Sequence, residues 1–199
     1  WKLDELTSWL KDIQGNVHVL PYTKPANLQD TQKFWKSIVE ERHYEGLFAR
    51  SNSDLYKIKP LCEVDAVVIG VNKNRDRFRH EEVTSLKVAL MNQEGEFVEL
   101  GDVGSGIEYS LRKSLWQAMQ QLRVQEDNEL IYLRPQIIVT IQFTQAYLKK
   151  MRVWSWNQDS QRYETYRKTE AHSLRHPRLM QFRPDKHVNP QDLRLEQVA

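Results

Sequence analysis

Val64 to Val71 is a nearly continuous apolar run rich in β-branched residues, and this pattern reads as a strand. Val83 to Met91 repeats it, and Asn92 to Gly95 supplies a turn into a third strand at Phe97 to Leu100. Gly101, Gly104 and Gly106 punctuate a loop ahead of a helix carrying Leu111, Leu115, Trp116, Met119 and Leu122. Further strands are expected at Ile137 to Leu148 and Arg152 to Trp156, followed by a polar turn and Tyr163 to Arg167. Strands interrupted by one main helix over about 130 residues predict a small Greek-key barrel.

The first sixty residues have a different texture. Phe34, Trp35, Ile38 and Val39 recur at helical spacing between Leu28 and Glu41, which argues for an amphipathic helix. Val17, Val19 and Tyr22 suggest a strand before it, and two short strands follow it. This region is mixed α and β and resembles the last third of a domain. The expectation is an α+β chain: a partial domain over residues 1–60, and a β-rich barrel over residues 61–199.

In EGLFARSNSDLYKIKP, residues 45 to 60, Glu45 precedes Gly46 and a short apolar strand, Leu47 to Ala49. A turn over Ser51 to Asp54 leads into Tyr56-Lys57-Ile58-Lys59-Pro60. Side chains two apart in a strand share a face, so Lys57 and Lys59 point together, and a hairpin could bring Glu45 close to them. One acid for a divalent cation and two ammonium groups for phosphate oxygens are what a nucleotide phosphate site needs. The plain alternative is a solvated acid beside the wet face of a strand.

The formal net charge of +2 comes from 29 basic and 27 acidic residues and says little about partners. Its distribution says more. From Lys149 to Lys186, ten cations (Lys149, Lys150, Arg152, Arg162, Arg167, Lys168, Arg175, Arg178, Arg183 and Lys186) face only Asp159, Glu164, Glu170 and Asp185. The segment is a candidate polyanion-binding surface, or else a solvated hairpin.

Cys62 is the only cysteine, so the chain can form no internal disulfide. It reads as a buried small apolar residue rather than a nucleophile, because no paired base is evident. No run approaches the roughly 18 apolar residues a membrane span requires, and no signal-peptide pattern opens the chain, so a soluble protein without a membrane partner is expected. His172 and His176 are four apart, but Pro177 follows at once, which argues against the helix that would bring them together on a metal. The glycines of GDVGSG do not follow dinucleotide-fingerprint order. Trp154 and Trp156 alternate on one strand, either as barrel core or as a stacking surface for nucleic acid.

Taken together, five separated segments resemble those of the ATP-dependent DNA ligases. EGLFAR resembles the family's EGxxxK element and YKIKP its KxKP element. EVDAVVIG resembles the strand that opens its OB domain, and LGDVGSGI its glycine turn. RHPRLMQFRPDKHVNPQDLRLEQV is similar to its C-terminal RxDK element. The resemblance implies the end of a nucleotidyltransferase domain followed by an OB-fold domain, with ATP and Mg2+ as cofactors and nicked duplex DNA as partner. It implies that Glu45 helps hold Mg2+ and that Lys57 and Lys59, as catalytic candidates, neutralise the α-phosphate. Arg183, Asp185 and Lys186 would orient pyrophosphate when the OB domain closes. Arg50 stands where the family has lysine, keeping the charge but changing a point donor into a planar fork. Lys149, Lys150, Arg152 and Arg178 are candidate DNA contacts.

The family's adenylated KxDG lysine is absent from these residues and is expected before Trp1. The chain is therefore read as a C-terminal fragment, a monomer, and inactive in ligation by itself. In a cell it is expected in the cytoplasm with the nucleoid, or in the nucleus of a eukaryote. Alternatives are a fragment of an RNA ligase or mRNA capping guanylyltransferase, or a non-catalytic OB-fold nucleic-acid binder. The presence of a KxDG lysine upstream would separate the enzymes from the binder.

Overall fold

The computed structural model describes residues 20–51, 53–73 and 81–198, apart from the side chains of residues 165 and 166. It divides into two compact units, Trp1–Pro60 and Leu61–Ala199. Val17 and Val19 lie outside the described residues, and Tyr22 is not in a strand.

In the first unit, helix α1 (Leu28–Trp35) opens at Asn27, whose Oδ1 accepts the backbone N–H of Asp30 at 2.9 Å. The expected helix continues as one π-helical turn, Lys36–Glu40, rather than as regular α-helix. Among the described residues of this unit, that turn carries the buried apolar ones, Ile38 and Val39. Strands β1 (Leu47–Arg50) and β2 (Leu55–Ile58) form the expected hairpin, with Phe48 opposite Lys57 and Arg50 opposite Leu55. Ser51 closes its turn by accepting the Asp54 N–H at 3.0 Å.

The second unit is a β-barrel, its strands antiparallel. In chain order they are β3 (Cys62–Asn72), β4 (Leu86–Met91), β5 (Phe97–Val103), β6 (Arg123–Glu126), β7 (Leu130–Phe143), β8 (Gln145–Asn157), β9 (Arg162–Arg175) and β10 (Arg178–Phe182). The hydrogen-bonded order is β10-β7-β3-β4-β5-β8-β9, with β6 on β7. A three-strand meander, a helix after the third strand (α2, Arg112–Gln120), a fourth strand returning beside the first and a fifth beside the third constitute OB-fold connectivity. Val67, Val68, Ile69, Leu86, Leu90, Leu100 and Ile141 fill the interior, together with Met119 of α2.

Several strands differ from the sequence reading. The run expected as one strand from Ile137 to Leu148 breaks at Thr144, whose N–H and Oγ1–H both donate to the Arg175 carbonyl, at 3.1 and 3.2 Å. A threonine tethered to a neighbouring strand makes this corner, so no glycine or proline marks it. The two short strands expected around residues 152–167 are the inner parts of a long β8–β9 hairpin, whose outer parts are too polar to show a core pattern. Gly101 lies within β5 rather than in the loop. Cys62 is exposed, because it sits at the solvent end of β3 before that strand enters the barrel.

Trp154 is barrel core. It is buried, packs edge-on against Tyr132 at 5.3 Å, and its Nε1–H donates to Glu99 Oε1 at 2.9 Å. Trp156 is half-buried and meets Tyr163 at 5.0 Å. Among the described residues no helix is long and apolar enough to cross a membrane.

Candidate functional site

Gly46 allows the first cluster to form. A Cβ on it would lie 2.2 Å from the Ile58 carbonyl oxygen, so only glycine lets the segment before β1 pass this close to the end of β2. Glu45 is thereby brought to Lys59, whose Nζ donates to its Oε1. Lys57 has a different neighbour: its Nζ lies 5.5 Å from the ring centroid of Phe48, the residue opposite it, in a cation–π contact. Arg50 is exposed at the turn end of β1. Among the described residues no three His, Cys, Asp or Glu side chains are grouped to hold a metal ion. A lone carboxylate still suits Mg2+, which keeps several waters and is commonly held by one or two carboxylates with substrate phosphates.

The second cluster lies on the barrel. Arg183 follows β10, donates its backbone N–H to Ile138 O of β7 at 2.8 Å, and starts a turn closed by Lys186 N to Arg183 O at 3.2 Å. Pro184 stands at the second position of that turn, where its fixed φ fits. The Arg183 guanidinium grips Asp185 with two parallel bonds, Nε to Oδ1 at 2.9 Å and Nη2 to Oδ2 at 2.7 Å. Arg183 Nη1 and Lys186 Nζ both reach Asp65 Oδ2, at 3.1 and 2.5 Å, while Thr140 Oγ1–H donates to Asp65 Oδ1 at 2.5 Å.

These contacts set the charge states. Burial pushes the Asp65 carboxyl up, but hydrogen bonds from Lys186 and Thr140 and the charges of Lys186 and Arg183 outweigh it and hold it below the usual carboxylate value. The Arg183 hydrogen bonds hold Asp185 down at about 2. Asp65 and Thr140 belong to the cluster although sequence reasoning did not select them. The available signal was a charged residue inside the apolar run Val64–Val71, because a charge there requires partners.

The third feature is a cleft of about 490 Å³. Strands β5 and β8 pair only at Phe97 with Trp154 and Val98 with Val153. Beyond that point Lys149, Lys150 and Arg152 of β8, Lys168 of β9 and Lys87 of β4 line the opening. Its two carboxylates already have internal partners: Glu99 takes the Trp154 indole, and Asp102 takes Lys87 at 2.7 Å and Asn72 at 2.8 Å. Arg178 is on β10 and does not line this cleft.

An OB barrel with a cationic C-terminal turn defines the class. Residues 79–186, more than half of the chain, match the family described as the ATP dependent DNA ligase C terminal region. The chain belongs to that family. It is 27% identical over 175 residues to a DNA ligase of Thermococcus fumicolans, covering 82% of this chain and 28% of that protein. A DNA ligase of Thermococcus onnurineus is 26% identical over 183 residues, covering 86% of this chain and 29% of that protein. The chain thus spans less than a third of the length of these relatives. Among solved structures, the ligase domain of M. tuberculosis LigD superposes with a TM-score of 0.47 at 16% identity, covering 87% of this chain and 53% of that one.

Proposed function

We propose that this chain is the C-terminal portion of an enzyme that seals nicks in duplex DNA through enzyme-lysyl-AMP and DNA-adenylate stages. Residues 1–60 are the end of its nucleotidyltransferase domain and residues 61–199 its OB domain. The observation that carries the reading is the RPDK turn: two cations fixed on the barrel by backbone and carboxylate contacts, at the end of the segment that matches the ligase family.

Lys59 and Lys57 neutralise phosphate oxygens as charge builds on the α-phosphate, with Arg50 nearby in sequence supplying a planar donor. Glu45 would hold Mg2+ after releasing Lys59, and the same release frees Lys59 for phosphate. The ion supplies charge neutralisation when bound. Arg183 and Lys186 orient the leaving pyrophosphate, with Asp185 keeping the guanidinium in one plane. Lys149, Lys150 and Arg152 contact the DNA backbone through the cleft, and Arg178 is an outlying contact. The protein acts as a monomer on DNA, in the nucleoid or the nucleus according to its source.

The test uses the 199-residue chain. It should bind nicked duplex DNA in a salt-sensitive manner and take no covalent label from radiolabelled ATP, since no KxDG lysine occurs in it. A covalent adenylate on this chain would contradict the assignment of roles.

A further inference from the structure

Asp65 projects from β3 with a side chain 11% exposed, between the two cations of the RPDK turn and the hydroxyl of Thr140, its partner across the β3–β7 pair. A carboxylate so placed opposes the attraction of phosphate. Asp65 and Asp185 cancel the charges of Arg183 and Lys186, so the cluster is formally neutral. What Asp65 contributes is geometry. Arg183 Nη1 and Lys186 Nζ converge on one oxygen, and that oxygen is fixed by a strand hydrogen-bonded on both sides. Three of the five guanidinium N–H groups and one of the three ammonium N–H groups are engaged, which leaves two donors on each side chain. Long basic side chains lose rotamer freedom when they bind, and Asp65 imposes that loss before any phosphate arrives.

We infer that Asp65 is the positioning residue of the C-terminal cationic turn, holding Arg183 and Lys186 in the orientation in which their remaining donors meet the phosphate chain of the nucleotide. The inference rests on the reading that these cations serve the nucleotide. Asp65 itself touches no reacting atom. It acts through Arg183 and Lys186, and its effect is confined to the step they serve.

The experiment compares Asp65→Asn, Thr140→Val, Arg183→Ala and the Asp65→Asn/Arg183→Ala double variant in the intact ligase. Self-adenylation with ATP and sealing of a pre-adenylated nick are measured separately. Asp65→Asn should slow self-adenylation by about 10- to 100-fold, the scale of a small misplacement of catalytic groups, and leave sealing within about twofold. The double variant should lose less than the product of the two single losses, because part of the effect of Asp65 runs through Arg183 and only the remainder through Lys186. Thr140→Val should give a smaller loss in the same step. Normal self-adenylation by Asp65→Asn, equal loss in both steps, or losses that multiply with Arg183→Ala would overturn the inference. If Asp65→Asn does not fold, Thr140→Val decides by the same criteria. Should Arg183→Ala adenylate itself normally, the nucleotide role of the turn fails instead, a result distinguishable from failure of Asp65.

Discussion

Arg152 on β8 stands directly opposite Lys168 on β9, so two like charges share one cross-strand position at the cleft. Like charges directly opposite one another destabilise a strand pair. Lys168→Gln should therefore raise stability slightly in urea titration while weakening binding to nicked duplex DNA. Opposite signs in the two measurements are expected of a charge kept for a polyanion, and equal signs would remove that explanation.

The salt dependence of DNA binding provides a count. Each phosphate contact contributes a slope of about −0.9 in log K against log salt on duplex DNA. Replacing Lys149 and Lys150 by Gln should reduce the slope by roughly two, uniformly across DNA sequences, because phosphate contacts position without reading bases. Fluorescence anisotropy over a salt series measures it.

Glu99 is buried and receives the Trp154 indole N–H. Trp154→Phe removes that donor and leaves a buried carboxylate short of a partner, at a cost of roughly 1–3 kcal/mol beyond the lost packing. Glu99→Gln keeps an acceptor and should cost less. The order of the two variants in chemical denaturation tests the hydrogen bond.

Gly106 has φ +89°, and a Cβ there would lie 2.1 Å from the Leu179 carbonyl oxygen, whereas Gly95, at φ +79°, has open space around it. Gly106→Ala should destabilise the barrel by more than about 2 kcal/mol, and Gly95→Ala by about 1 kcal/mol from backbone conformation alone. Similar losses at both sites would show that the contact with β10 is not tight.

Asp65 and Asp185 both hold their protons less tightly in the folded protein than at the ordinary value of 3.8, Asp185 at about 2. Stabilisation by a depressed carboxyl is present above the unfolded-state value and is lost as pH falls through the folded one. Thermal stability attributable to this cluster should therefore hold from neutral pH down to about 4 and decline toward pH 2. In Asp65→Asn the decline should be shallower.

The barrel was legible wherever its strands are apolar on the inward side: Val64–Val71, Val83–Met91 and Phe97–Leu100 all lie wholly or largely in strands. Strand β6 and the outer parts of β8 and β9 were not: β6 has no buried side chain, the outer part of β8 is mostly exposed, and the outer part of β9 sets its buried Ala171, Ser173 and Leu174 among polar residues, so none carries a core pattern. The hairpin that joins Glu45 to Lys59 could be anticipated from alternation and a turn, although the division of partners, Glu45 for Lys59 and Phe48 for Lys57, depends on register. RPDK could be read as a local motif. Its anchor at Asp65, more than a hundred residues earlier, could not, since only strand pairing brings β3 beneath the turn.

Under the proposed function, Lys59 serves the AMP phosphate through to nick sealing, whereas Arg183 serves the self-adenylation step. This division is tested most directly in the intact ligase by scoring Lys59→Ala and Arg183→Ala in self-adenylation and, separately, in sealing of a pre-adenylated nick. Lys59→Ala should abolish sealing of the pre-adenylated nick, and Arg183→Ala should mainly impair self-adenylation. Equal losses in both assays for both variants would contradict this division of roles.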